Sequence, residues 1–325
     1  MDVAAEMSRA ASALLNALDE RQRDLAAHPF EDGKARRWLE YRPNSRPGAC
    51  LAELSPPARK AANRLLATAL SDSAYAQAMA IIALEETLDR LEGWQRNRHS
   101  GDYWISIFGD PGDGETDGGE PWAWRFEGHH LSVSMTLDAG LVSPAPVFFG
   151  ANPHRVSYAG RTVSRPLAPE EDLARALLDA IGPRGRADAV VADQAPHDIR
   201  TGTSPSAGPR IEPLGISSSR LGPSARAALS QLVALYLDRL PPELAAREQT
   251  RLTELHFAWE GPLVPGTRHY YRVQGDDLLI EYDNTTDDGN HAHTVLRRPR
   301  GDFGEDLLTA HLRQEHDPAG RRSVG

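Results

Sequence analysis

Trp124-Arg125-Phe126-Glu127-Gly128-His129-His130-Leu131 and Tyr271-Arg272-Val273-Gln274-Gly275-Asp276-Asp277-Leu278 are two readings of one pattern. Each has an aromatic-Arg start and a Gly before a polar pair, and an alternating apolar run follows. The strand is read as starting at His129 in the first stretch and at Asp277 in the second. Each stretch also follows a strand-like run that ends in Gly, at residues 103–109 and 255–261.

Working outward, the resemblance between the halves extends. Leu54-Ser55-Pro56-Pro57-Ala58-Arg59 and Leu221-Gly222-Pro223-Ser224-Ala225-Arg226 each open a helix with proline in the first turn, where its missing N–H is no loss. Leu65, Leu66, Ala69 and Leu70 then match Leu232, Val233, Tyr236 and Leu237 in spacing. Glu171-Asp172-Leu173 with Ala176 and Leu178 matches Glu305-Asp306-Leu307 with Ala310 and Leu312, and reads as a closing helix. The expectation is an α+β fold, a tandem duplication of a helices-then-antiparallel-β unit whose halves pack about a pseudo-twofold axis. The units are drawn at 1–180 and 181–325 in one compact structure, with 201–219 as a Ser/Pro/Gly linker. Residues 110–120 read as a mobile hairpin tip, and residues 73–92 as a central helix apolar on more than one face.

Composition narrows the function classes. The 325 residues carry 25% charged and 40% hydrophobic side chains, enough for a sizeable core. A net charge of −10 argues against nucleic-acid binding and against attraction to an anionic membrane. No apolar run approaches the roughly 20 residues that span a bilayer, and the first residues lack a signal-like apolar core. A single cysteine, Cys50, excludes a disulfide framework. These features read as cytoplasmic. There is no Walker loop, Gly-x-Gly-x-x-Gly turn, nucleophile elbow or His-Glu-x-x-His, so no nucleotide cofactor is expected.

Strand alternation sets out the candidate site. His130, Ser132, Ser134 and Thr136 share one face, opposite His129, Leu131, Val133 and Met135; Glu281 and Asp283 lie opposite Ile280 and Tyr282. The polar face is expected to look into solvent or a shared cleft. His291 and His293 are two residues apart, so both rings lie on one face of a strand. With His130 and either Glu281 or Asp283 they would form a His/carboxylate site for zinc, iron or copper. The alternative is a His-x-His on an exposed strand with solvated carboxylates. Arg125 and Arg272 would clamp an anionic substrate or face each other across the halves; structural pairing with carboxylates is the other reading. His129, Ser132, Asn152, Tyr271, Asn284 and Asn290 complete the candidate substrate-binding set. His256 and His269 read as core-edge, and His311 as partly buried.

The motifs Trp124-Arg125-x-x-Gly128-His129-His130-Leu131-Ser132, Phe148-Phe149-Gly150-Ala151-Asn152-Pro153, His269-Tyr270-Tyr271-Arg272, Glu281-Tyr282-Asp283-Asn284-Thr285, Asn290-His291-Ala292-His293 and Asp302-Phe303-Gly304 resemble a bacterial family catalogued as domain of unknown function 3500. The resemblance spans nearly the whole chain. It departs where Leu296 and Asp276 stand in place of the family's Trp and Pro. It implies one shared site built from these segments, and neither a metal nor a reaction.

Three function classes remain. The leading one is a metal-dependent enzyme, hydrolytic or oxidative, acting on a small polar molecule, with Glu281, Asp283, Arg125 and Arg272 in catalytic roles. A carboxylate would then serve as base toward a metal-bound water. The second is a metal-free acid–base enzyme, and the third a non-catalytic small-molecule binding or scaffold protein. The sequence leaves the oligomeric state open.

Overall fold

The computed structural model describes residues 2–96, 98–114 and 119–309. Its frame is a mixed sheet whose eight main strands are β1 (Tyr103–Phe108), β2 (Trp122–Gly128), β3 (Leu131–Asp138), β4 (Val147–Ala151), β5 (His256–Glu260), β6 (Tyr270–Gln274), β7 (Leu279–Thr286) and β8 (His291–Arg297). Their spatial order is β1-β2-β3-β4-β8-β7-β6-β5, antiparallel throughout. Thus β4 and β8 meet at the middle, with Phe149 opposite Thr294 and Ala151 opposite Ala292. Short segments flank the outer strands alike. Ala27–His28 and Val190–Ala192 run parallel to β1 and β5, while Ala49–Cys50 and Ile216–Ser217 run antiparallel to them.

One sheet face lies under helices α1 (Val3–Ala17), α2 (Glu20–Ala26), α3 (Pro56–Ala69), α4 (Asp72–Leu91), α5 (Ala168–Ala189), α6 (Pro223–Leu237) and α7 (Pro242–Thr250). Ser55 and Ser71 cap α3 and α4 by accepting the Ala58 and Ala74 N–H groups. Leu14, Leu65, Leu66, Leu232 and Tyr236 join Ile105, Phe126, Val133, Phe257 and Ile280 in one apolar core. Each such side chain contributes roughly 1.5–3 kcal/mol.

The helix expected to close the first half behaves differently. α5 packs on α6, as α1 packs on α3, so it belongs with the helices that follow it. The boundary at 180/181 falls inside α5, beside its kink at Gly182 (φ 72°). Its proposed match reaches only the helical turn after Gly304; Ala310, His311 and Leu312 lie outside the described residues. Residues 110–120 are described only in part. The spacing of Met7, Leu14, Leu15, Leu18 and Leu25 suggests one apolar helical face, but Leu25 is 40% exposed.

The opposite sheet face corrects the expectation that it meets solvent. Ser132, Ser134, Thr136, Glu281 and Arg297 on it are all buried. Two irregular straps, residues 29–48 and 193–215, cover it, and Leu39, Tyr41, Ile199 and Phe303 pack on Phe148 and Val295. The supposed linker at 201–219 is largely part of the second strap. Its irregular backbone is consumed by the sheet: Arg200 N donates to Glu281 at 2.6 Å, Gln274 exchanges hydrogen bonds with Ile211, and Arg297 donates to Ser204 O. Ser/Pro/Gly composition here gives a backbone free to bend toward buried polar groups. No helix among the described residues is long and apolar enough to cross a membrane.

Gly128 ends β2 where a Cβ would stand 2.3 Å from the Tyr103 ring. That ring is fully buried and its hydroxyl donates to His129 O at 2.7 Å, so it has nowhere to move. Gly128→Ala is expected to cost about 1–3 kcal/mol by overpacking, read as a lower urea midpoint at unchanged m-value.

Candidate metal centre

Gly128 pairs with Leu131, which makes His129 and His130 a two-residue turn rather than the start of a strand. His130 takes φ 64°, an uncommon conformation for a residue with a side chain. The fold supports it with backbone bonds on both sides. His130 N donates to Tyr41 O at 3.1 Å, and Gly150 N donates to His130 O at 2.7 Å. Gly150 also makes room for the ring, since a Cβ there would lie 2.7 Å from His130 Cδ2. The turn therefore fixes which way each imidazole points.

His130, His291 and His293 come together. Each offers a ring nitrogen, and these nitrogens all lie within 4.8 Å of one another. His130 Nε2 and His291 Nε2 are 2.8 Å apart, and the ring centroids of His291 and His293 are 4.7 Å apart. Nitrogens on one tetrahedral ion would stand about 3.4 Å apart, so side-chain movements of up to about 1.4 Å separate this packing from a ligand set.

Carboxylates orient two of the rings. His291 Nδ1 lies 3.0 Å from Asp287 Oδ2, and the Asn152 amide donates to the same oxygen at 3.1 Å. His293 Nδ1 lies 2.9 Å from Asp198 Oδ1 and 3.3 Å from Asp283 Oδ2. A ring that donates Nδ1–H to a carboxylate can offer a cation the lone pair of Nε2 once that nitrogen is free of its proton. Tyr41 donates to Asp198 at 2.8 Å. Asp283 Oδ1 is held by Thr285, while its buried Oδ2 has no hydrogen-bond partner among the described residues.

The electrostatics follow from burial and neighbours. Burial disfavours a His293 cation, but Asp283 and Asp198 outweigh it and raise its pKa to about 10. Burial and the neighbouring His293 charge lower His291 to about 4. Burial and the surrounding imidazoles hold His130 well below the ordinary histidine value. One imidazolium paired with two carboxylates thus stands beside two neutral rings, and an ion bound by all three would have to displace the His293 Nε2 proton.

A second group adjoins the trio through His130. The His129 ring stacks on it at 3.6 Å between centroids, and His129 Nδ1 lies 2.5 Å from Glu85 Oε1 on α4. Burial raises the Glu85 carboxyl to about 8, against the opposing pull of Arg98. Arg98 lies 3.4 Å from His129 Nδ1 and pairs with Glu92.

Other candidates lie elsewhere. Glu281 is fully buried and saturated by Thr201, Arg200 N and the Tyr270 hydroxyl. Its carboxylate fastens the second strap. Asp283 is the member of that pair which reaches a histidine. Arg125 is buried against Glu127 at 2.9 Å and donates to Ala35 O. Arg272 is buried against Glu260 and donates to Pro213 O. With β3, β4, β8 and β7 between their strands, these arginines neither face each other nor share a ligand; each ties a strap to its own half. Ser132 bonds Glu127. Tyr271 joins Tyr236 and Glu170 O under the helices, Asn284 holds the His269 N–H, and Asn290 holds the Arg155 N–H. Asn152 alone of the polar set reaches the trio, while His129 reaches it through His130.

Glu85, Arg98, Tyr41, Asp198 and Asp287 were not among the sequence candidates. A legible signal existed for Glu85, a carboxylate on the buried side of α4 between Leu84 and Leu88. Nothing local marks Asp198, which reaches His293 only because its strap crosses the sheet.

His269 is buried rather than at the core edge, stacked 4.4 Å from Trp259 and 5.3 Å from Tyr282. Burial lowers its pKa to about 4. Below pH 6.5 the unfolded chain binds a proton that the folded chain refuses, so stability falls as pH drops from about 6.5 to 4. The histidine's share is roughly 3 kcal/mol. Urea unfolding at pH 5 and 7.5 is expected to show a smaller pH difference for His269→Phe than for the parent protein.

Among curated proteins and among solved structures, none matches the chain. Residues 1–305, a span that includes the turn, the trio and both straps, match the family described as Protein of unknown function (DUF3500). The chain belongs to that family.

Proposed function

We propose that this protein is a metal-dependent enzyme acting on a small polar molecule, with its ion held by His130, His291 and His293. The observation that carries the reading is the convergence of three ring nitrogens within 4.8 Å, two of the rings oriented at Nδ1 by carboxylates. Three protein ligands leave a fourth position for water or substrate. Imidazole suits zinc, iron or copper, so hydrolysis and oxygen chemistry both fit the donor set. A bound divalent ion would polarise substrate or lower the pKa of water. Glu85, raised to about 8 by burial, is the adjoining group able to exchange a proton near neutral pH, and it lies 2.5 Å from His129 Nδ1.

The same pair favours a second reading, metal-free acid–base chemistry by Glu85 and His129. Indifference of turnover to a chelator would distinguish it. We also infer that the halves descend from a tandem duplication. Support comes from the order β1-β2-β3-β4-β8-β7-β6-β5, which reads alike from both ends, and from the like placement of α1 and α5. The repeat then begins near residue 168. The turn corresponding to His129-His130 is Asp276-Asp277, where Asp277 pairs with Arg298 at 2.7 Å. One copy of the turn would have kept chemistry while the other became an ion-pair joint.

Elemental analysis of tag-free protein should find near one equivalent of zinc, iron or copper, lost in a folded His291→Ala/His293→Ala double variant. No metal in either, and none taken up on titration, would end the metal reading. Asp287→Asn, at a side chain 60% exposed, should fold normally yet weaken metal affinity by about 10–100-fold in a competition titration, because it removes the partner that orients His291.

A further inference from the structure

Beside the histidines lies a cavity of about 490 Å³ whose walls include Arg46, Arg96, Arg98, Trp104, Glu85 and His129. That volume suits a small molecule. Three guanidinium groups are unusual company in a chain of net charge −10. Arg46 is buried and stacked over Trp104, its Cζ 5.5 Å from a ring centroid. Its donors go to backbone carbonyls of Glu40, Arg42 and Asn44, and it makes no ion pair among the described residues. Its charge is therefore unneutralised by a direct partner. Arg98 is held by Glu92, which fixes its guanidinium beside His129. The lining carboxyls are Asp102 and Glu85, and Glu85 is turned to His129 Nδ1 at 2.5 Å. Arg96 and Arg98 share Glu92, which leaves Arg46 as the lining cation without a direct carboxylate partner among the described residues, and low-dielectric walls strengthen its pull on an anion.

We propose that this cavity is the substrate subsite of the histidine centre and takes a small molecule through a carboxylate or phosphate group held by Arg98 and Arg46. This rests on the enzyme reading above, because it places the reacting part of that molecule against His129, whose ring covers His130. An oxyanion offers two acceptors to a guanidinium fork, which neutral polar molecules do not match as well. Trp104 supplies an apolar wall for the remainder. Charge, size and position give a substrate class: a small organic acid or phosphate ester.

The test is a fluorescence titration of the full chain with succinate, inorganic phosphate and neutral 1,4-butanediol, with Trp104→Phe as the control for signal origin. Saturable binding of one or both anions is expected, and their ratio separates carboxylate from phosphate. Arg98→Gln should weaken binding by at least about tenfold, the size of one lost charge-assisted hydrogen bond, while Arg98→Lys keeps part of it. Ser45→Asp, an exposed rim position that leaves packing untouched, should also weaken it. No saturable anion binding, equal binding of butanediol, or anion affinity unchanged in both Arg98→Gln and Ser45→Asp would overturn the proposal.

Repeating the titration on His291→Ala/His293→Ala separates the two readings. Arg98-dependent binding that persists there, in protein that never held metal, keeps the cavity and rejects the metal. Stoichiometric metal without Arg98-dependent binding does the reverse. Binding lost with the histidines but indifferent to Arg98 would put the anion on the ion and overturn the cavity.

Discussion

A sheet buried on both faces must satisfy every polar side chain it carries, because an unpaired charge in a low-dielectric interior costs several kcal/mol. In this protein the helix-covered face is apolar, but the other carries Arg125, Glu127, Glu260, Arg272, Glu281 and Arg297. The straps are the answer to that constraint. Their carbonyls receive Arg125, Arg272 and Arg297, and their N–H groups and Thr201 hydroxyl close on Glu281. Irregular chain is thereby tied to the sheet through its buried charges.

The histidine centre depends on the same device. Tyr41 and Asp198 belong to different straps, yet they bond each other over His293, and the Tyr41 carbonyl holds the turn that presents His130. The site stands where β4 and β8 meet, so residues from both halves contribute to it. Side chains tied down this way are ordered by the fold itself, which would reduce what must be ordered if an ion bound there. His129 links it to the arginine-lined cavity. The turn's two adjacent histidines thus serve two neighbouring environments, one ring toward the trio and one toward Glu85 and Arg98.

Much of this was legible in the chain itself. Proline-opened helices, alternating strands and the paired aromatic-Arg motifs predict an α+β architecture, and β spacing alone places His291 and His293 on one face. These are local properties, set by propensity and periodicities of 3.6 and 2 residues. The histidines could therefore be named as a group before their distances were known.

Other features belong to tertiary structure alone. Charges along the polar strands look the same whether they meet water or a strap, so Arg125, Arg272 and Glu281 read as site residues until their partners are seen. Glu85, Asp198 and Asp287 join the centre through contacts with residues 44, 95 and 4 positions away, and only Asp287 is near in sequence. Local sequence determined the elements and the histidine pattern. Which polar groups are exhausted by the fold, and which are left for chemistry, was decided by burial, because pairing across long separations has no local signature.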